Sequence, residues 1–333
     1  MKAAYYDRLG GARQVLTVGD LPTPTPGPGE VRVRIDWSGV NPSDVKSRLG
    51  ARSPVMPFPR IIPHSDGAGV IDAVGDGVPA NRLGERVWTW NAAWGRAHGT
   101  ACESVCLPSA QAVHLPDAVS SEAGACLGIP ALTALHAVLM DGGVAGKTVL
   151  VAGAAGAVGH YAVQMASQLG AARVIGSVST PEKAAIARAA GADDVIFYRD
   201  ESLVDRAREL TGGRGVDRVI EVDMAANGAH NVELLAPNGE CLAYGSSGAI
   251  QAPFFPLIAK NLQLKFFIVY HLTAGDRQRA TATLQRMLER NTLAHPIAAR
   301  FALDDIAEAH ERVERGQAIG NVVVTPRSTL IAG

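Results

Sequence analysis

The sequence predicts an α/β fold in which a doubly wound parallel sheet of six strands is joined to a separate β-rich domain. Three features of the chain predict this class. An apolar strand runs into a glycine turn, an amphipathic helix and a second strand over residues 148–177. Strand and helix patterns then alternate to about residue 270. The first 125 residues or so instead carry short β-rich runs between Pro- and Gly-rich turns. A chain of 333 residues suits two domains.

The elements follow in order along the chain. Strand candidates at 30–37 and 67–74 predict a compact antiparallel domain at the start. The parallel strands are expected near residues 148, 173, 194, 217, 240 and 264, with helices between the first five. Gly191, which ends a helix begun at Pro181, and Gly239, before the fifth strand, are each expected to supply a positive φ.

The last part of the chain is predicted to contain helices over 276–290 and 303–315 and a terminal strand over 321–326. The expected division is a dinucleotide-binding domain over 129–270 and a first domain over 1–128 that is completed by 271–333. The cleft between the two domains is the expected ligand site, as is usual for open α/β sheets.

The glycine turn carries the pattern G-x-x-G-x-x-G at Gly153, Gly156 and Gly159. Without Cβ atoms, backbone N–H groups and a helix N-terminus can approach a pyrophosphate. The turn lies between an apolar strand and a helix, where this mechanism requires it. The sequence therefore predicts a nicotinamide dinucleotide cofactor.

The end of the second strand indicates which dinucleotide is bound. An NAD site carries an acid there for the ribose hydroxyl, but this chain has Ser177, Val178 and Ser179, followed by Lys183 and, after the third strand, Tyr198-Arg199. Small hydroxyls with nearby cations favour the 2′-phosphate of NADPH. The alternative is that Lys183 and Arg199 are solvated surface charges.

Composition limits the function classes. Lys and Arg number 31 against 32 Asp and Glu, so no bulk charge favours nucleic acid or an anionic membrane. No opening segment with a basic region followed by an apolar core is seen. No apolar run approaches the ~20 residues that a membrane span needs. Four cysteines do not make a disulfide framework. A cytoplasmic protein with a small-molecule partner is expected.

Six segments resemble the medium-chain dehydrogenases/reductases, and specifically the zinc-free, zeta-crystallin-like NADPH:quinone oxidoreductases. They are SGVNPSDVKSRLG (38–50), PHSDGAGVIDAVGDGV (63–78), GERVW (84–88), LGIPALTALHAV (127–138), GVDRVIEV (215–222) and AYGSSG (243–248), together with the glycine motif. The resemblance runs nearly end to end. It implies a GroES-like first domain and a Rossmann second domain.

The zinc-dependent alcohol dehydrogenases of the same superfamily hold their metal with Cys and His at positions where this chain has Asn41 and the triplet His64-Ser65-Asp66. His64 stands one position before the ligand slot, and a neutral imidazole at a turn is the expected role. The four-cysteine lobe for structural zinc is absent as well. His98, Cys102, Cys106 and His114 lack finger spacing, so packed thiols are expected there and no metal site is predicted.

The resemblance also implies the site residues. A zinc-free reductase needs an acceptor that is already electron-poor, such as a quinone, an enone or an enal, and the protein supplies geometry and hydrogen bonds. Asn41 is expected beside the nicotinamide as a catalytic residue. The implied cofactor contacts are Asn41, Thr133, Gly153, Ala154, Ala155, Gly156, Ala157, Val158, Ser177, Ser179, Lys183, Tyr198, Gly245, Ser246, Ser247, Phe267, Ile268, Val269 and Asn321.

Lys46 stands where several quinone oxidoreductases carry Tyr, which leaves the proton donor open. An ammonium would stabilise an enolate or hydroquinone anion, and burial would make it more acidic. The alternative is a solvated lysine at a helix start. Asp44 is a partner for Lys46 or a cap of the same turn.

The apolar segment 264–270, LKFFIVY, is predicted to be the exposed edge of the sheet, and a homodimer in which two such strands pair is expected. The alternative is that the chain covers this edge itself. Two other enzymes stay open, a 2-enoyl thioester reductase and a zinc-type alcohol dehydrogenase. The non-enzymatic alternative is an NADPH-binding structural or RNA-binding protein of the crystallin type, which the near-neutral charge disfavours.

Overall fold

A computed structural model describes residues 1–316 and 318–326. The chain divides into two compact units. The first comprises residues 1–129 and the chain from Arg286 onward, and the second comprises Pro130–Gln285. The second unit therefore continues past residue 270, where the sequence pattern places its end.

The strands and helices are numbered in chain order. The strands are β1 Lys2–Tyr5, β2 Thr17–Asp20, β3 Glu30–Val40, β4 Asp66–Val74, β5 Arg86–Thr89, β6 Ser104–Pro108, β7 Ala112–His114, β8 Thr148–Val151, β9 Arg173–Val178, β10 Asp194–Phe197, β11 Val216–Glu221, β12 Leu235–Ala243, β13 Gln263–Phe266, β14 Ile297–Ala302 and β15 Asn321–Thr325. The helices are α1 Ala12–Val15, α2 Pro42–Arg48, α3 Ser121–Gly124, α4 Leu132–Leu139, α5 Ala157–Gln168, α6 Pro181–Ala189, α7 Leu203–Leu210, α8 Met224–Leu234, α9 Phe254–Ala259, α10 Ala274–Glu289 and α11 Ile306–Glu314.

The second unit is built on a six-stranded sheet in the order β10-β9-β8-β11-β12-β13. Every neighbouring pair is parallel, which confirms the predicted doubly wound sheet. Leu150, Ile175, Ile196 and Val219 lie in its core and are fully buried. The strand order reverses between β8 and β11, and the loops that follow strands at such a reversal form the usual ligand crevice of the fold.

The first unit is built on a seven-stranded sheet whose path runs β14-β15-β3-β4-β5-β7, with β6 paired to β3. Its contacts are antiparallel except for the parallel pair β14–β15. The terminal strand pairs with β3, so the end of the described chain belongs to this unit. A β-rich GroES-like unit and a second unit with a Rossmann sheet together make the predicted fold class.

The structure corrects three details of the predicted elements. The sixth strand ends at Phe266, because residues 269–271 turn into a 3₁₀-helix instead of extending the edge. The short helix α9 and the strand β14 are among the elements that the sequence does not predict. The positive φ expected at Gly239 belongs to Asn238 (φ 62°), and both residues lie within β12 and not before it; a Cβ on Gly239 would lie 2.8 Å from the carbonyl oxygen of Ala236.

Candidate cofactor and active site

The glycine turn after β8 has the geometry that a pyrophosphate site requires. Gly153 has a φ of +65°, and a Cβ on Gly159 would lie 2.2 Å from the carbonyl oxygen of Gly153. Helix α5 then begins after Gly156, which as a glycine has no side chain to cap the helix. The first N–H groups of a helix have no partner within the helix. This turn therefore fits a dinucleotide phosphate, with the Ala154–Val158 backbone around it.

The turn is tied to the end of β9, where the ribose end of a dinucleotide is recognised. Gly153 N donates to Ser177 Oγ at 3.3 Å, and Ala154 N donates to the carbonyl oxygen of Ser177 at 3.1 Å. Lys183, in the first turn of α6, donates from Nζ to Ser179 Oγ at 3.2 Å. The structure therefore brings a serine pair and an ammonium together and places no acid at the end of β9.

Tyr198 lies after β10, and its backbone N–H donates to the carbonyl oxygen of Val178 at 3.2 Å. The residue is 47% exposed, so its ring is available to an adenosine end that is bound at this edge. Arg199, the next residue, is exposed as well, in line with the alternative of a solvated surface charge.

The loops after β11 and β12, two neighbouring strands of the six-stranded sheet, are joined by hydrogen bonds. A Cβ on Gly245 would lie 2.2 Å from the carbonyl oxygen of Val222, so only glycine fits there. Asp223 accepts from Ser247 N at 2.8 Å and from Ser247 Oγ at 2.9 Å. Ser246 Oγ accepts from Ala225 N at 3.1 Å. The predicted positions Gly245, Ser246 and Ser247 therefore form one ordered loop that is tied to the residues after β11.

The segment after β13 is held by its own unit. Phe267 N donates to the carbonyl oxygen of Ala243 at 3.2 Å, and the Val269 carbonyl accepts from Arg277 of α10. A cavity of about 440 Å³ has Phe267, Ile268 and His136 among its lining residues. Thr133, in the first turn of α4, is buried. Phe267 and Ile268 thus line a cavity in the second unit, while two of the backbone groups expected at a carboxamide already have partners.

Asn41 is the centre of a buried polar cluster in the first unit. It precedes α2, and its backbone N–H donates to Asp44 Oδ2 at 2.8 Å in a capping box. Its side-chain Nδ2 donates to Asp66 Oδ2 at 2.9 Å, and Ile129 N donates to the same oxygen at 3.0 Å. A Cβ on Gly128 would lie 2.3 Å from Asp66 Oδ1. Asp44 is therefore a cap, and Asp66 fixes the amide of Asn41.

Two buried carboxyl groups flank Asn41. Burial raises the pKa of Asp44 to about 7, although the N–H of Asn41 opposes this shift. Burial, together with the charge of Asp44, raises the pKa of Asp66 well above its ordinary value. Because Oδ2 of Asp66 accepts two N–H groups, its proton belongs on Oδ1. The surroundings of Asn41 are consequently close to neutral below about pH 7.

Two further predicted residues belong to the first unit. Lys46, on α2, is exposed, which agrees with the alternative of a solvated lysine at a helix start. Asn321, the first residue of β15, donates from N and from Nδ2 to the carbonyl oxygen of Pro296, at 2.8 and 3.1 Å. Its amide group is thus held within the first unit.

The potential metal ligands are engaged elsewhere. His64 is fully buried, with Nδ1 2.8 Å from Ser38 Oγ and Nε2 2.9 Å from Nε2 of His310. Burial lowers the pKa of His64 to about 3, so the imidazole is neutral. The thiol of Cys102 donates to backbone carbonyls, and burial raises its pKa to about 12. Within residues 1–316 and 318–326, no three His, Cys, Asp or Glu side chains are grouped as metal ligands.

Sequence reasoning assigns no role to three residues of these clusters. Asp66 stands out in the sequence only as part of a triplet, and its pairing with Asn41 spans 25 residues. Asp223 lies just after β11, and an acid at the carboxyl end of a parallel strand is a signal that could have identified it. His310 contacts His64 across 246 residues, and nothing local in the sequence indicates that pairing.

Two family models match the chain. The alcohol dehydrogenase GroES-like domain matches residues 27–117, and the zinc-binding dehydrogenase model matches residues 157–289. The first range lies in the first unit, and the second range lies almost entirely in the second unit. Across the described ranges, no helix has both the length and the apolar content to cross a bilayer.

Full-length relatives extend the match. Human quinone oxidoreductase is 31% identical over 328 residues, which cover 97% of each chain. A mycobacterial structure complexed with NADPH is 31% identical with a TM-score of 0.87, covering 98% of this chain and 100% of that chain. A structure described as an NAD-dependent alcohol dehydrogenase is 30% identical with a TM-score of 0.90, at the same coverage of 98% and 100%.

Proposed function

The chain belongs to the quinone oxidoreductase family of the medium-chain dehydrogenases/reductases, and we propose that it transfers a hydride from NADPH to a quinone or another electron-poor α,β-unsaturated carbonyl without zinc. The observation that supports the proposal most strongly is the glycine turn after β8 together with the neighbouring pair Ser179 and Lys183. The protein is an NADPH-dependent oxidoreductase. The acceptor and the absence of zinc are the proposed part.

The choice of NADPH follows from charge. A 2′-phosphate carries negative charge that an ammonium and serine hydroxyls bind through charge-assisted hydrogen bonds. Lys183 Nζ and Ser179 Oγ are already 3.2 Å apart, so the phosphate joins a pair that is in place. An acid in this position would repel the phosphate, and Ser177 and Ser179 offer none.

Zinc independence is supported by the chemistry of the side chains present. At the ligand positions of the zinc enzymes this chain has Asn41 and Ser65, which are poor zinc ligands. Both ring nitrogens of His64 are within hydrogen-bond distance of Ser38 and His310. A metal would have to displace a buried hydrogen-bonded pair to use this histidine.

The residues of the chain then position and polarise the acceptor. Bound NADPH supplies the hydride. Asn41, held by Asp44 and Asp66, offers a fixed amide beside the reacting centre that the resemblance implies. Lys46, exposed on α2, would supply a proton to the reduced acceptor and regain it from solvent. The four free thiols suit the reducing cytoplasm that we propose as the location.

The proposal is tested with purified full-length protein by following the absorbance of the reduced cofactor. Quinones, enones, enals, primary alcohols with oxidised cofactor, and 2-enoyl thioesters are screened separately. We expect turnover with NADPH and quinones or enones that persists after dialysis against a chelator. A preference for thioesters would indicate a 2-enoyl thioester reductase instead. Activity that is lost on dialysis and restored by zinc would indicate a zinc-type alcohol dehydrogenase.

A second arm addresses the non-enzymatic alternative. The protein is mixed with AU-rich RNA at physiological salt and examined by gel shift. We expect no shift, because the chain has 31 basic and 32 acidic residues. Specific RNA binding with NADPH bound but no turnover of any acceptor would favour the crystallin-type role.

A further inference from the structure

A continuous chain of hydrogen bonds crosses the interior of the first unit. It begins at Arg48 of α2, a fully buried guanidinium whose Nη2 pairs with Glu314 Oε2 at 2.9 Å and whose Nη1 donates to the Gly10 carbonyl. Arg48 Nε lies 3.4 Å from Nδ1 of His310. The two imidazoles then meet through their Nε2 atoms at 2.9 Å. Neither histidine belongs to the predicted site.

This series of hydrogen bonds continues from His64 to the candidate site. His64 Nδ1 is 2.8 Å from Ser38 Oγ, which is 2.7 Å from Thr100 Oγ1. Thr100 Oγ1 in turn donates to the backbone carbonyl of Asp66. The carboxyl group of this same Asp66 accepts from the amide of Asn41 at 2.9 Å.

The direction of every bond is fixed independently from each end. Arg48 can only donate, so Nδ1 of His310 accepts and its Nε2–H donates to His64. From the other end, the Asp66 carbonyl can only accept, so Thr100 donates to it and accepts from Ser38, which accepts from Nδ1–H of His64. Both derivations require His64 to accept at Nε2. The two imidazoles are therefore neutral and carry opposite tautomers.

Protonation of either ring would break this order. A second proton on His64 would place two N–H groups face to face or force a proton onto Nδ1 of His310, which faces the Arg48 guanidinium. In agreement, burial, the neighbouring His64 and the charge of Arg48 lower the pKa of His310 well below its ordinary value. His64 itself adopts φ 76°, a strained conformation for a non-glycine residue, which indicates that its contacts hold it in place.

We propose that His310 and His64 are a positioning pair, which orders the backbone of Asp66 through Ser38 and Thr100 and thereby holds the Asn41 amide for hydride transfer. This inference rests on the proposed function for its last step only. The hydrogen-bond chain and its tautomers stand on the geometry alone. A displacement of about 1 Å in a positioned group costs up to ~100-fold in rate, so the pair acts on turnover without touching substrate.

The first test reads the tautomers directly by ¹⁵N NMR of histidine-labelled protein. We expect His310 to be protonated at Nε2, His64 at Nδ1, and both to stay neutral across the pH range in which a solvated imidazole gains its second proton. The opposite tautomer in either ring, or ordinary titration of either ring, overturns the proposal. This result does not depend on which acceptor the enzyme uses.

The second test compares His310→Gln with His310→Leu. The amide nitrogen of glutamine can replace the Nε2 donor toward His64, whereas leucine fills similar space without a donor. We expect His310→Leu to lower kcat by roughly 10- to 100-fold with KM for NADPH within about twofold, and His310→Gln to recover most of the loss. Equal losses in both variants, or no loss in His310→Leu, overturn the proposal.

His114→Leu, at an exposed imidazole of the same unit, is the matched control and should turn over like wild type. If His310→Leu does not fold, His64→Asn serves instead, because asparagine tolerates a positive φ and keeps a donor toward Ser38 but is too short to reach His310. Its kcat should fall similarly, and wild-type kcat would overturn the proposal. Absence of turnover in wild type with every acceptor refutes the proposed function, while the NMR result still decides the pair.

Discussion

The charged residues of the candidate site differ in their electrostatic surroundings. Lys183 lies beside Ser179 in the second unit, and Asp44 and Asp66 lie around Asn41 in the first unit. Lys183 is partly exposed and lies against a hydroxyl, so its charge is available to an anion. Asp44 and Asp66 are buried, so their carboxyl groups become neutral. The same chain thus offers an accessible ammonium in one unit and a buried polar cluster around Asn41 in the other.

Lys183→Ala should weaken NADPH binding without changing NADH binding. A hydrogen bond to a charged group contributes about 1.5–3 kcal/mol, which corresponds to roughly 10- to 100-fold in Kd. The measurement is a fluorescence titration of the tryptophans with each cofactor. Arg188→Ala, an exposed cation on the same helix, is the control. Equal weakening of NADPH and NADH would remove Lys183 from the 2′-phosphate site.

Lys46→Met should lower kcat more than it changes cofactor affinity if the ammonium supplies the proton. Since Lys46 is exposed, bulk water can partly replace it, and we expect a loss of about tenfold, at the lower end of general acid effects. Turnover is measured with a quinone at saturating NADPH. Lys46→Arg keeps the charge but not the acidity and should stay impaired; unchanged kcat in Lys46→Met excludes this residue as the donor.

Asp44 should make stability depend on pH. Its pKa is about 7 in the folded protein against an ordinary value of 3.8, so the stability that it contributes is fully present below 3.8 and is lost as pH rises to about 7. The difference in unfolding free energy between wild type and Asp44→Asn should therefore fall with rising pH, by about 1.4 kcal/mol per unit at its steepest.

The measurement is urea unfolding of both proteins between about pH 4 and pH 8. The difference between the two proteins cancels the contributions of other groups. One of these is His64, whose pKa is lowered to about 3 in the folded protein, so that it stabilises both proteins above the pKa of the unfolded state and this stability is lost as pH falls. The two slopes oppose each other in wild type. A flat difference for Asp44→Asn would contradict its neutral burial.

At the scale of elements, the junction of β8 and α5 shows why the glycine pattern is informative. Gly159 allows the first turn of the helix to pack on the backbone of Gly153, and Gly176 of β9 packs against Ala154, where a Cβ would lie 2.7 Å from the alanine Cβ. These contacts are local to one βαβ unit. The pattern therefore predicts the geometry without knowledge of the rest of the fold.

Gly159→Ala should distort this junction, because the new Cβ would lie 2.2 Å from the Gly153 carbonyl oxygen. We expect a destabilisation of about 1–3 kcal/mol and loss of NADPH binding. Gly275→Ala, in the first turn of α10 with no heavy atom within 4 Å, should instead stabilise by up to ~1 kcal/mol. Thermal unfolding and NADPH titration check both, and an unperturbed Gly159→Ala would contradict the close packing.

At the scale of the whole molecule, β13 is the end of the six-stranded sheet, and exposed apolar side chains lie on it and on the helix before it. Phe266 is 56% exposed, and Phe254 and Phe255 of α9 are 73% and 74% exposed. An edge strand with exposed aromatic residues is a template for pairing. These observations support the proposed homodimer, although the strand is shorter than the sequence predicts.

Phe266→Glu should convert the proposed dimer to a monomer, since a charge on an edge strand opposes pairing. Light scattering after size-exclusion chromatography gives the mass of each variant. Val55→Glu, at a 70% exposed valine of the first unit, is the control and should leave the mass unchanged. A wild-type monomer, or a dimer that survives Phe266→Glu, would refute pairing through this edge.

The features that could be predicted from the sequence are those that depend on neighbours along the chain. The alternating strands and helices, the glycine turn and the absence of an acid at Ser177–Ser179 are local, and they predict the Rossmann sheet and NADPH. Helix α9 and strand β14 are not predicted, because α9 is only six residues long and β14, IAARFA, lacks a clear alternation of apolar and polar residues.

Contacts between residues far apart in the chain could not be predicted and are seen only in the folded protein. The fold pairs Asn41 with Asp66 and His64 with His310, it exposes Lys46, and it turns residues 269–271 away from the sheet edge. The physical reason is that burial, which makes carboxyl groups and imidazoles neutral, is set by packing between distant segments. Local patterns carry the fold, whereas the protonation of buried groups belongs to the assembled interior.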